Sequence, residues 1–259
     1  MNIKVKKQRK KQGHRAVYIK TKGIVIRETH VNDNDKLLTI LTADKGKLTI
    51  KARGVKKQGS KASLCAQMFA FSEYDLYLKN GKYTLVAADI IDAFYDLTLD
   101  LEKISLANYF AQISDFFALE DENCYDILAL MINSLHIMES GKRDNRLVKC
   151  VFELKMMVVS GYKPDLSACG VCNNERALIF NLNSGQLCCE NCTLSGKTLK
   201  LTKSTLSALR FIVDNIDKKA FSFTLPDGDM ALLAKACEQY LITVSQREFS
   251  ALKFYYEIQ

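Results

Sequence analysis

Nine cysteines occur among the 259 residues, and four of them stand at spacings that suit a metal ion. Cys169 and Cys172 form one Cys-x-x-Cys pair and Cys189 and Cys192 another, with 16 residues between the pairs. Each pair can fold into a tight knuckle that offers two sulfurs to one ion. The intervening IFNLNSGQL alternates apolar and polar residues around Asn183-Ser184-Gly185, the pattern of a short hairpin. Four thiolates close a tetrahedron and leave no coordination position for water, so the spacing predicts one structural zinc ion rather than a catalytic one. A redox dithiol pair and idle thiols are the competing readings. Cys188 complicates the ligand set, because Cys188-x3-Cys192 is a second pairing; the x2 knuckle favours Cys189. Cys65, Cys124, Cys150 and Cys237 stand alone, and the three of them on helical stripes read as small buried apolar residues. The odd total argues against a disulfide framework and fits a cytoplasmic protein.

No second set of residues assembles reaction chemistry. A Gly-x-x-x-x-Gly-Lys-Ser/Thr loop, a Gly-x-Gly-x-x-Gly fingerprint and a His-Glu-x-x-His motif are all missing, and Gly59-Ser60-Lys61 lacks the upstream glycine of a phosphate loop. His14, His30 and His136 are far apart in the chain and read as surface or capping residues. Asp33 and Asp35 flank a turn, where hydrogen bonding to the backbone accounts for them. The inventory predicts a protein that is not an enzyme, with no small-molecule substrate.

Charge is more telling. Residues 1–65 hold 18 Lys or Arg against 4 Asp or Glu, residues 66–140 hold 3 against 13, and residues 141–259 hold 16 against 12. So basic a front end attracts a polyanion, and nucleic acid is the default; a merely solvated lysine-rich surface is the alternative. Arg53, Lys56, Lys57 and Lys61 cluster at one strand end and its loop, with Arg27, Lys36, Lys45, Lys47 and Lys51 on neighbouring strands. Phe69, Phe71, Tyr74, Tyr77 and Tyr83 add rings in the same region, most of them suited to core packing.

The elements that must position these groups follow from periodicity. Residues 1–15 carry seven basic and no acidic residues and read as a disordered arm. VYIKTKGIVIRE, KLLTILT, GKLTIKARG, FAFSEYDLYLK and YTLVAADIIDAF alternate in strand fashion and predict a five-stranded barrel over 16–96, an OB-fold in the first instance, with an SH3-like barrel close behind. Helical periodicity then takes over, giving a first helical part over 97–163, the zinc-binding loop over 164–196 and a second helical part over 197–259. Apolar runs such as Ala129–Ile132 are too short to cross a bilayer. The fold class expected is α+β and multidomain: barrel, helical bundle, and an inserted four-cysteine zinc ribbon.

The order of features resembles the RecO family of bacterial recombination mediators, over residues 17–255. Three stretches carry the resemblance. GIVIRETHVNDNDKLLTILTADKGKLTIKARGVKKQGSK has a strand, an acidic turn before two leucines, a glycine, then Ala-Arg-Gly and basic residues. VFELKMMVVSGYKPDLSACGVC holds Phe152-Glu153-Leu154, Gly161-Tyr162, Pro164, Leu166 and the first cysteine pair in family order. The Cys189/Cys192 pair follows Ser184-Gly185. The resemblance implies a non-enzymatic protein of recombination repair that binds single- and double-stranded DNA, anneals complementary strands, and helps load RecA. It also implies two protein partners, RecR and the acidic tail of single-stranded-DNA-binding protein, and a place at the bacterial nucleoid. Carried over, it makes Arg27, Arg53, Lys56, Lys57 and Lys61 the DNA contacts and the four cysteines the zinc ligands, and it places the acidic tail near Arg146 and Lys149. A zinc-ribbon factor that binds RNA in transcription or on the ribosome is the rival reading.

Overall fold

Alternating segments in the first third of the chain become β1 (Val17–His30), β2 (Lys36–Thr42), β3 (Lys47–Ala52), β4 (Phe71–Lys79) and β5 (Lys82–Asp92). The computed structural model describes residues 17–192, 195–215 and 217–258; the basic arm expected over 1–15 lies outside them. The five strands close into a barrel in the order β1-β2-β3-β5-β4, with β3 meeting β5 in parallel and the other pairs antiparallel. That order is the OB-fold's, not the SH3-like alternative's. Val25, Leu38, Ile40, Leu48, Ile50, Tyr74 and Leu76 fill the barrel.

Gly23–Ile26 is apolar without interruption because β1 is covered on both sides there. Val25 faces the barrel interior, while Ile24 and Ile26 enter a second core shared with the helices. A register shift between Val25 and Arg27 marks the place where the strand re-aims its side chains.

Six α-helices occur among the described residues: α1 (Leu101–Phe117), α2 (Tyr125–Ser140), α3 (Asn145–Val159), α4 (Lys203–Asp214), α5 (Asp227–Ser245) and α6 (Ser250–Glu257). Local chemistry sets their ends. Asp100, Asp144 and Thr202 each accept a first-turn N–H, and Gly141 ends α2 in the left-handed region at φ 63°. α3 runs through the middle, against α1, α2, α4 and α5, and every residue from Leu147 to Met157 is buried. Its Phe152 stacks on Phe110 of α1 with centroids 3.9 Å apart.

The cysteine-bearing segment forms a small sheet of β6 (Asp165–Cys169), β7 (Ile179–Asn181), β8 (Gln186–Cys188) and β9 (Thr198–Lys200), in the order β6-β8-β7-β9. β7 and β8 make the expected hairpin around Asn183–Gly185, whose tip amides Asn183 and Ser184 donate to Asn181 Oδ1. Phe180 and Leu187 of this hairpin are fully buried in the same core as the helices, so the segment packs as part of the bundle.

Barrel and bundle meet at Gly46. It lies in the β2–β3 turn at φ +62°, and an added Cβ would sit 1.8 Å from the Leu119 carbonyl oxygen. The α1–α2 loop crosses there, and Lys47 N–H donates to that same carbonyl at 3.1 Å.

Candidate nucleic-acid interface and metal centre

Strand alternation decides which basic side chains share a face. Lys47, Thr49, Lys51 and Arg53 fall on the outward row of β3 and its continuation, while Leu48, Ile50 and Ala52 point inward. Arg27 pairs in register with Thr39, and Thr39 with Thr49, so Arg27 stands beside that row.

Pairing then separates the cations. Lys36 is held by Glu28 at 2.7 Å and by the Ala66 carbonyl, and Lys47 by the backbone oxygen and carboxylate of Asp115. Arg27 donates to Thr39 Oγ1 from Nε and Nη2 and reaches Asp115 at 3.6 Å, yet stays 59% exposed. Arg53, Lys56, Lys57 and Lys61 are exposed and make no ion pair or side-chain hydrogen bond among the described residues.

The loop that carries these four is built, not slack. Asn32 Oδ1 accepts the Asn34 and Asp35 amides, and Asp35 Oδ1 accepts Gly54 N–H at 2.9 Å. The Gly54 amide and the Asn32 side chain hold the Asp35 carboxyl below its ordinary range. Lys56 N–H donates to the Asn34 carbonyl, and turns closed by Gly54, Lys57 and Ser60 carry the chain onward. Gly54 sits at φ +66°, a conformation that costs glycine little. Asp33 and Asp35 thus belong to the turn that braces the basic loop. Of the aromatic residues, Phe69 and Tyr74 are core, and Tyr74 Oη donates to the Cys65 carbonyl.

Cys169, Cys172, Cys189 and Cys192 bring their sulfurs within 4.8 Å of one another. Cys172 and Cys189 Sγ are 3.6 Å apart, close to the ~3.8 Å edge of a tetrahedron whose centre lies ~2.3 Å from each sulfur. Gly170 N–H donates to the Leu187 carbonyl and ties one knuckle to the other. The amides of Cys172 and Val171 point at Cys169 and bring its thiol down to about 6. Crowding by the Cys189 and Cys172 thiols pushes Cys192 up. Four thiols cannot all ionise together without a cation among them, and a metal ion fits this donor set. Cys188 is buried and outside the cluster, so the x2 knuckle prevails. Arg210 of α4 braces the centre by donating to the Leu166 and Ser167 carbonyls, a contact with no signature in the sequence.

The two residues expected to meet an acidic partner fare differently. Arg146 is about half exposed but held by Asp144 and Asp227. Lys149 is 2% exposed, with its ammonium between Glu153 at 2.8 Å and Glu238 at 2.6 Å, and it cannot reach a partner. The i, i+4 spacing of Lys149 and Glu153 resembles a solvated face, but α5 and α6 cover it. An open groove lies elsewhere, floored by Phe71, Leu128 and Ile132 and edged by Lys22, Lys218 and Lys219.

Among the described residues, no helix is long and apolar enough to cross a membrane. Residues 17–94 match the family profile described as recombination protein O N terminal, and residues 98–252 that described as recombination protein O C terminal. The chain is 28% identical over 240 residues to a DNA repair protein RecO of Acetivibrio thermocellus, covering 92% of this chain and 96% of that one. It is 28% identical to the protein of that name from Caldicellulosiruptor bescii (93% and 99% covered), and 27% identical to that of Clostridium perfringens (91% and 96%).

Proposed function

The chain belongs to the recombination protein O family, and on that premise we propose that it is a non-enzymatic DNA-binding mediator of recombination repair. It would hold single and double strands on its barrel, anneal complementary strands, and help load RecA. The observation that carries this reading is the braced loop whose Arg53, Lys56, Lys57 and Lys61 are exposed and make no ion pair among the described residues. Annealing is opposed by repulsion between two phosphate backbones. A fixed array of cations that contacts both lowers that barrier through counterion release, with no covalent step. Arg27 and Lys51 extend the array along the outward face of the barrel.

The ion we assign to the four cysteines is zinc, since an all-thiolate tetrahedral set selects it over harder divalent ions. Its part is structural: it ties the knuckle at the end of β6 to the knuckle after β8 and leaves no position for substrate.

RecR and the acidic tail of single-stranded-DNA-binding protein are the protein partners of this reading, in a bacterial cytoplasm. The groove edged by Lys22, Lys218 and Lys219 suits an acidic segment with an apolar residue better than Lys149 does, and Arg146 remains the second candidate.

The test is strand annealing of oligonucleotides coated with single-stranded-DNA-binding protein, either intact or lacking its acidic tail. Annealing that depends on the tail and on the loop lysines is expected. Annealing indifferent to Lys56→Ala with Lys57→Ala and Lys61→Ala would remove the loop from the mechanism. Titration with RNA of the same sequence separates this reading from the RNA-binding one.

A further inference from the structure

Where β5 ends and the chain turns toward the bundle, three metal-ligating side chains converge away from the cysteines. Asp92 comes from the last position of β5, and His136 and Glu139 stand three residues apart on one face of α2. One ligand atom from each lies within 4.8 Å of the others. His136 Nδ1 and Asp92 Oδ2 are 3.7 Å apart, too far for a hydrogen bond but a gap that two coordination bonds of about 2.1 Å can span.

The groups are held in place. Phe94, a bulky residue, adopts φ 45° and ψ 45°, a conformation that structures keep only when surrounding contacts impose it. In that conformation its N–H donates to Asp92 Oδ1 at 3.0 Å, which leaves Oδ2 turned toward the imidazole. Its buried ring packs on His136 with centroids 4.8 Å apart. One residue therefore orients both the carboxylate and the ring, the role outer-shell groups play around bound ions. His136 and Asp92 are each about one-third exposed, which leaves room for water to complete the coordination.

We propose that Asp92, His136 and Glu139 form a second divalent-cation site, independent of the four cysteines, that ties the end of the barrel to the helical bundle. One imidazole and two carboxylates suit first-row ions such as Mn2+ that compete poorly for thiolates.

The test titrates Mn2+ into zinc-loaded protein and reads free Mn2+ by electron paramagnetic resonance, with zinc content and melting temperature measured in parallel. One Mn2+ per chain is expected. Its affinity should fall about tenfold or more in both His136→Gln and Glu139→Gln. Zinc content and the Mn2+-free melting temperature should not change, and Mn2+ should raise the melting temperature of the wild type only. Absence of Mn2+ binding, or binding that persists in either variant, overturns the proposal. Loss of zinc along with Mn2+ would equally overturn it, because the two sites would then not be independent.

Discussion

Removing Lys56, Lys57 and Lys61 together as alanines should change how DNA affinity responds to salt far more than it changes the fold. All three are exposed and make no ion pair or side-chain hydrogen bond among the described residues, so the stability cost should stay within about 0.5 kcal/mol. If Arg27, Arg53, Lys56, Lys57 and Lys61 each neutralise one phosphate of a single strand, log affinity falls against log salt with a slope of about −3.5. The variant keeps two of the five and should show about −1.4. Between 50 and 200 mM salt, that is a loss of roughly a hundredfold for the wild type against about sevenfold for the variant. Fluorescence anisotropy of a labelled single-stranded oligonucleotide across a salt series measures both slopes, with thermal melting to show that the fold is intact. Equal slopes at equal melting temperature would refute the reasoning and move the phosphate contacts off this loop, toward the basic residues of Lys4–Arg15.

The metal centre makes a sharper distinction between neighbours. Cys189→Ser should abolish bound zinc and strongly destabilise the fold, whereas Cys188→Ser should retain one zinc per chain by elemental analysis. Lys149→Met leaves Glu153 and Glu238 facing each other without their cation and should cost about 3–5 kcal/mol in urea unfolding, although DNA binding by the remaining folded protein is unaffected. Burial lifts the Glu153 carboxyl to about 7 from an ordinary 4.5, so the folded chain binds a proton there that the unfolded chain releases. The stability due to that proton is present in acid and is lost as pH rises from about 4.5 through 7. Glu153→Gln should remove this decline, as read from unfolding free energies across the same range.

Much of the architecture was legible because it depends on local period and composition. Five alternating segments announced the five strands, and helical stripes announced the helices. The cysteine cluster could be read as well, since two x2 knuckles bring four sulfurs together across a hairpin that Asn183–Gly185 encodes. α3 shows the limit of that reading. RLVKCVFELKMMVV looks amphipathic, with Lys149 and Glu153 as a hydrated pair, yet its neighbours cover the helix on all sides.

What the sequence determined by itself was the set of elements, the thiolate cluster and a basic front end, because spacing and charge are properties of neighbours along the chain. Which cations remain available was decided by tertiary structure alone. Asp115 of α1 holds Lys47 and touches Arg27, Glu28 takes Lys36, and Glu153 with Glu238 takes Lys149, while Asp35 beside the loop accepts the Gly54 amide and pairs with Lys51, so Arg53, Lys56, Lys57 and Lys61 form no ion pair among the described residues. An ion pair forms between groups that packing brings within about 4 Å, and their distance along the chain does not say which groups those will be.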